Sequence, residues 1–233
     1  MALTTETPRT PRTTRTPRTP ETAAPGRGRR TTLWTFVVAS IAAFMSSLDN
    51  LVVTTALPAI RSSLHTSLAN LEWTVNAYTL VFAVLLLPAA TLGDRYGRRR
   101  VFSIGLTIFT VASAAAALAP NIGTLVAARA VQGVGGAVIL PLSLTILSAA
   151  VPPNRRGAAL GIWGAVSGLA VAVGPVVGGA VTQGVSWQWI FWLNVPIGIA
   201  LLRWQCAGSP RRTARPAGST YAACCWWAPA CSA

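Results

Sequence analysis

The chain reads as an all-α integral membrane protein, a six-helix bundle with both termini in the cytoplasm, and three observations lead there. It is 52% hydrophobic and 10% charged with positive mean hydropathy, so it has too few polar residues to cover a soluble globule of 233 residues. Its apolar residues gather into six runs, at about 33–57, 71–92, 101–119, 123–150, 157–182 and 189–203. A membrane-crossing helix needs roughly 20 such residues. The arginines alternate with those runs. The formal net charge of +14 comes from arginine alone, and 17 of the 19 lie in the first thirty residues, at 95–100, at Arg155 and Arg156, or from Arg203 onward. With the N-terminus inside, all of these face the cytoplasm, and the outer loops keep only Arg61, His65 and Glu72.

Residues 1–32 repeat Thr-Pro-Arg and carry few apolar side chains, which predicts a disordered basic cytoplasmic arm lying near anionic lipid. Nucleic-acid binding would need stacking aromatic residues or a folded groove, and the arm offers neither. It also lacks the short basic region, apolar core and small-residue cleavage site of a signal peptide.

The bundle occupies residues 33–203. Ionisable groups inside a bilayer cost several kcal/mol unless they are paired or hydrated, so each one within a span is a functional candidate. There are two. Asp49 follows Leu33 by 16 residues, which places it about 24 Å from the inner end of the first span at 1.5 Å per residue. Arg129 follows Gly123 by 6 residues in a span that runs the other way, so it lies about 9 Å from the outer face. In a core about 30 Å thick both fall in the outer half, at depths a side-chain pair can bridge. They are expected to face one polar cavity. An Asp beside an Arg in low dielectric can change protonation as water or a cation enters, which proton coupling requires. A static ion pair that only orients two helices is the alternative.

Between the second and third runs stands the octet Gly93-Asp94-Arg95-Tyr96-Gly97-Arg98-Arg99-Arg100. It reads as a tight hairpin at the membrane face. Gly93 admits a neighbouring helix, Asp94 is placed to cap the amides that begin the third helix, and Gly97 can take the positive φ that the reversal needs. In the fourth run Gln132, Gly133 and Gly136 share a helix face with Arg129. No strand precedes these glycines, so they point to close helix packing and not to a phosphate loop. The fifth run carries Gly164 and Gly168, then Gly174, Pro175, Gly178 and Gly179. Glycines four apart allow backbones to touch, and Pro175 removes one helix hydrogen bond, so this helix serves for packing or as a hinge.

Residues 204–233 differ from everything before them. All four cysteines, Cys206, Cys224, Cys225 and Cys231, lie here, and no apolar run long enough to span remains. Their spacing is not that of a zinc site, and a cytosolic location disfavours disulfides. The segment is expected to be a disordered or out-of-frame tail. His65, the single histidine, sits in an outer loop without a partner of catalytic type, so the residues give no catalytic group, no metal site and no reason to expect an enzyme.

With these motifs placed, the chain resembles the N-terminal half of a major facilitator superfamily transporter, in particular the fourteen-helix drug:proton antiporter group. Leu48-Asp49-Asn50 through Ala56-Leu57-Pro58 resembles that group's first-helix motif, and Trp73 with Tyr78 its second-helix pattern. The octet resembles the loop signature between helices two and three. Arg129 with Gln132 and Gly133 resembles the fourth-helix motif, and Gly174-Pro175 with Gly178-Gly179 the fifth-helix antiporter motif. Trp187 through Phe191, with Asn194-Val195-Pro196, resembles the start of helix six, although Gln188 stands where an arginine is usual and Ala170 where a glycine is.

The resemblance implies alternating access, with hydrophobic or cationic drugs leaving as protons enter. Asp49 and Arg129 would take part in proton coupling. Gly93, Asp94, Arg95, Gly97, Arg98 and Arg99 would form the cytoplasmic gate, and Asn50, Asn76 and Gln132 would line the cavity. The implied setting is the cell membrane, crossed several times. The implied partners are the lipid bilayer, a small-molecule substrate, and a homodimer mate or complementing second half, with no nucleic acid and no cofactor beyond the proton gradient. Six helices make one bundle, so a truncated half that transports nothing is the competing expectation.

Overall fold

The computed structural model describes residues 25–207. Residues 1–24 and 208–233, which include most of the expected basic arm and cysteine-bearing tail, lie outside the described residues. Six α-helices follow one another: α1 Pro25–Leu64, α2 Leu68–Tyr96, α3 Arg98–Ala117, α4 Ile122–Ala150, α5 Arg156–Gly184 and α6 Gln188–Ala207. A short 3-10 turn, Pro153–Arg155, leads into α5.

The helix boundaries follow from local chemistry. α1 begins at Pro25, ahead of the apolar run at residue 33. Proline suits a first helical turn because its missing amide has no partner to lose there. The 40 residues of α1 extend about 60 Å, twice the thickness of a bilayer core, so this helix projects beyond the apolar layer. α2 is capped by Ser67, whose hydroxyl accepts from the Asn70 amide at 3.4 Å, and α4 by Asn121, whose side chain accepts from the Thr124 amide at 2.9 Å. Gly97 separates α2 from α3 with φ 99° and ψ 116°, and its amide donates to the Gly93 carbonyl at 3.1 Å. That left-handed φ is why glycine stands there.

Five of the helices are long and apolar enough to cross a membrane, one fewer than the six runs of the sequence. The exception is α6, where Gln188, Asn194, Arg203 and Gln205 dilute the apolar character of 20 residues. It is nonetheless part of the bundle. Ser113 of α3 donates to the Phe191 carbonyl at 3.0 Å, Ser103 of α3 bonds Gln205, and Trp204 meets Trp34 of α1 edge to face at 5.6 Å.

α4 lies at the centre, packed against α1, α2 and α3, while α5 leans on α1 and α6 on α3. A small apolar cluster joins Leu147 and Val151 near the end of α4 to Ala159 of α5, and two larger ones stack along the bundle. One joins Leu48, Val52, Leu71, Leu125 and Phe191; the other joins Met45, Tyr78, Leu106, Phe109 and Leu142. The central helices bury 56% to 61% of their most apolar eighteen-residue windows, whereas α2 buries 17% and α5 only 11%. These two helices turn most of their apolar surface outward. The glycines of α4 set the spacing: a Cβ at Gly133 would meet the Tyr78 carbonyl at 2.7 Å, and one at Gly135 would meet the Phe109 backbone at 2.7 Å. The α2/α4 and α3/α4 contacts are therefore backbone-close.

Candidate functional site

Between the two apolar clusters lies a single polar layer, and the structure brings Asp49 and Arg129 together in it. Arg129 Nη1 donates to Asp49 Oδ2 at 2.6 Å, and neither side chain has any exposed surface. The sequence put the two at depths a side-chain pair can bridge, facing one polar cavity; they meet as a direct, enclosed ion pair. Gln132, one helical turn from Arg129, accepts from Arg129 Nη1 at 2.9 Å and donates to Asp49 Oδ1 at 2.9 Å. Asn194 of α6 donates to the same Oδ1 at 2.6 Å and to Ser113 Oγ of α3 at 3.2 Å. Asp49 thus receives three donors from α4 and α6, a set suited to the ionised carboxylate.

Arg129 is held on its other side by α2. Its Nε donates to the Thr74 carbonyl at 3.3 Å, and its guanidinium lies 4.3 Å from the Tyr78 ring centre. The ring face offers the cation an attraction that survives desolvation. Tyr78 is fixed in turn by its hydroxyl, 3.2 Å from Ser46 Oγ of α1. Arg129 Nη2 and Thr74 Oγ1 are buried without a hydrogen-bond partner. Such atoms cost about 1–3 kcal/mol each when desolvated, which marks the layer as under strain on its α2 side.

Of the three residues expected to line a cavity, only Gln132 joins this layer. Asn50 is half-buried and Asn76 exposed, and neither takes part in the network. Asn194 and Ser113 complete it; in the sequence Asn194 belongs only to the helix-six motif, with no role at the site, and Ser113 stands in no motif. Their signal is an amide and a hydroxyl within spans that are otherwise apolar.

The octet lies at the far end of α2. Asp94 does not cap α3, whose first turn has no side-chain cap; its Oδ1 accepts from Arg98 Nε at 2.8 Å. The φ of Gly97 carries the start of α3 away, and the position four residues on becomes the nearest donor. Both side chains are largely exposed. Arg95 lies over the Tyr96 ring at 5.6 Å. A Cβ at Gly93 would collide with Leu142 of α4, so this glycine is a contact point.

On α5 the glycines divide. Gly174 and Gly178 pack against Leu51, Val52 and Thr55 of α1, whereas Gly164, Gly168 and Gly179 look into open space. The spacing left packing and a hinge open for this stripe, and only Gly174 and Gly178 are closely packed, while the first half of α5 meets Phe36 of α1 and Leu147 of α4 through Ala159, Leu160 and Trp163. Among the described residues no three His, Cys, Asp or Glu side chains gather.

Comparison with known proteins places this geometry. Residues 39–220 match the model of the Major Facilitator Superfamily, a stretch that runs past residue 203. The tetracenomycin C resistance and export protein of Streptomyces glaucescens is 40% identical over 179 residues, covering 76% of this chain and 33% of its own length. The cephamycin export protein of Amycolatopsis lactamdurans is 43% identical over 180 residues, covering 76% and 37%. The puromycin resistance protein of Streptomyces alboniger is 40% identical over 184 residues, covering 78% and 37%. The chain spans about a third of the length of these curated relatives. Its fold is similar to that of a bacterial homologue of the human lysosomal transporter Spinster, solved inward-facing and unoccupied. The TM-score is 0.58 at 19% identity, over 85% of this chain and 47% of that one. With a family match that covers well over half of its length, the chain belongs to the Major Facilitator Superfamily.

Proposed function

We propose that this bundle serves as one half of a proton-coupled exporter that moves small hydrophobic or cationic compounds out across the cell membrane, with Asp49 as the group that takes up and releases the proton. One observation carries the reading: an ionisable carboxylate sits at the centre of the bundle, enclosed between two apolar clusters and held by Arg129, Gln132 and Asn194. Protonating Asp49 would remove its charge from Arg129 and weaken the acceptance of three donors from two helices. Occupancy by a proton would then change the fit of α1 against α4 and α6, which a coupling mechanism needs. The relatives named for resistance and export support the substrate class, and the arginine asymmetry supports the octet and both termini on the cytoplasmic side.

A second reading has its own observation. α2 and α5 leave most of their apolar surface outward, and Gly164 and Gly168 offer a close-approach face that nothing in this bundle fills. The bundle would then insert without transporting unless a second bundle, from another copy or another polypeptide, packs there. Dye efflux from proteoliposomes under an imposed pH gradient separates the two. Efflux by the purified chain that collapses with the gradient supports the exporter, and its absence supports the non-transporting half.

A further inference from the structure

The carboxylate of Asp49 has two sides. On the Oδ2 side it meets Arg129, which is backed by the Thr74 carbonyl and covered by the Tyr78 ring. Leu71 and Leu125 close the apolar cluster around that side. On the other side, beyond Oδ1, a small cavity lies between α1, α5 and α6. It is lined by Asp49 and Asn194 together with Val52, Val177, Val181 and Leu193, and leaves about 10 Å³ for the centre of a water molecule. A buried water needs roughly that volume, so the cavity has room for one water and not for a chain of them. The Asp49 side chain has no exposed surface in this state, so its carboxylate must uncover toward the cavity for water to reach it.

We propose that water and protons reach Asp49 from between α1, α5 and α6, and that Asn194 is the positioning residue that keeps Oδ1 turned toward that route. The inference deepens the proton-coupling reading and rests on it. Asn194 fits the part because its amide spans two helices, donating to Asp49 of α1 and to Ser113 of α3. Ser113 in turn donates to the Phe191 carbonyl, so the α6 turn that carries Asn194 is tied to α3. The charged and titratable groups facing Asp49 are Arg129 of α4 and Tyr78 of α2, both on the closed side. Between residues 157 and 202 the chain has no ionisable side chain, so α5 and the α6 wall of the cavity hold no group that would compete for the proton. The α5 wall also carries a proline inside its helix. Gly174 and Gly178 seat that helix against α1 beside Val177, and Pro175 leaves one of its hydrogen bonds unmade.

Two measurements on the whole chain in lipid vesicles test this without substrate or gradient, so a chain that does not transport still decides it. The first is hydroxyl-radical footprinting by X-ray radiolysis, which oxidises side chains beside water. Label is expected on Val52 and Ile190, which line the cavity and are otherwise buried, and not on Leu71, Leu125 or Tyr78, and Val181→Phe should remove the Ile190 label by filling the cavity. Label on Tyr78 or Leu125 with none on Val52 or Ile190 would overturn the route. The second is infrared spectroscopy of chain labelled with 13C-aspartate, which has only two such residues, Asp49 and exposed Asp94. Asn194→Leu should shift the Asp49 carboxylate band while the Asp94 band stays in place, and Asn194→Ser, which restores a short donor, should shift it less. An unmoved Asp49 band in Asn194→Leu would remove Asn194 from the positioning role. Failure of the coupling reading would show elsewhere, as gradient-driven efflux retained in Asp49→Asn.

Discussion

Asp49 Oδ2 and Arg129 Nη1 meet at 2.6 Å across α1 and α4 with both side chains fully buried, and 80 residues separate them in the chain. Breaking one partner of such a pair leaves an uncompensated charge, whereas replacing both removes the penalty. Arg129→Met should therefore destabilise the bundle by about 3–5 kcal/mol in a detergent unfolding titration. The double variant Asp49→Leu with Arg129→Met should recover most of that loss. Equal damage in single and double variants would show that packing, and not charge pairing, sets the cost.

The glycines give a second contrast. Gly178→Val places a branched side chain against Thr55 and Val52, and Gly133→Val drives one into the Tyr78 backbone. Overpacking of this kind costs typically about 1–3 kcal/mol, and more where the obstacle is backbone. Gly168→Val meets open space and should leave the stability of this bundle unchanged. Thermal unfolding of the three variants side by side checks the order.

At the hairpin, Asp94 and Arg98 form an exposed pair four residues apart. Pairs of that kind contribute about 0–1 kcal/mol and are screened by salt. Asp94→Asn should thus barely move the unfolding midpoint. Gly97→Val, at φ 99°, forces a branched residue into the left-handed region and should cost about 1–2 kcal/mol. Loss of gradient-driven efflux in Asp94→Asn without loss of stability would assign this pair to gating.

What the sequence could tell about this site follows from the physics of each residue. Asp49 and Arg129 stood out because charge inside a span is expensive, and simple rise-per-residue arithmetic put them at compatible depths. Asn194 and Ser113 did not, because neutral polar residues are tolerated in spans and only helix crossing decides whom they face. The expected cap by Asp94 gave way to an ion pair because the φ of Gly97 redirects α3, a three-dimensional effect of a residue whose turn role was itself legible. The α5 glycines show the same divide. Their spacing repeats along the helix, yet only Gly174 and Gly178 meet α1, because spacing alone does not say which side of the helix a neighbour occupies. α6 reads as a span from its apolar run at about 189–203, although Gln188, Asn194, Arg203 and Gln205 lower the hydropathy of the helix as a whole.

Whether Asp49 couples proton movement to transport is decided by one comparison. Vesicles carrying the wild-type chain and the Asp49→Asn chain would be assayed twice, for dye efflux driven by a pH gradient and for dye exchange with no gradient. If Asp49 carries the proton, Asp49→Asn loses gradient-driven efflux and keeps exchange, since the amide preserves shape but cannot take up and release the proton. Gradient-driven efflux that survives in Asp49→Asn would contradict that role.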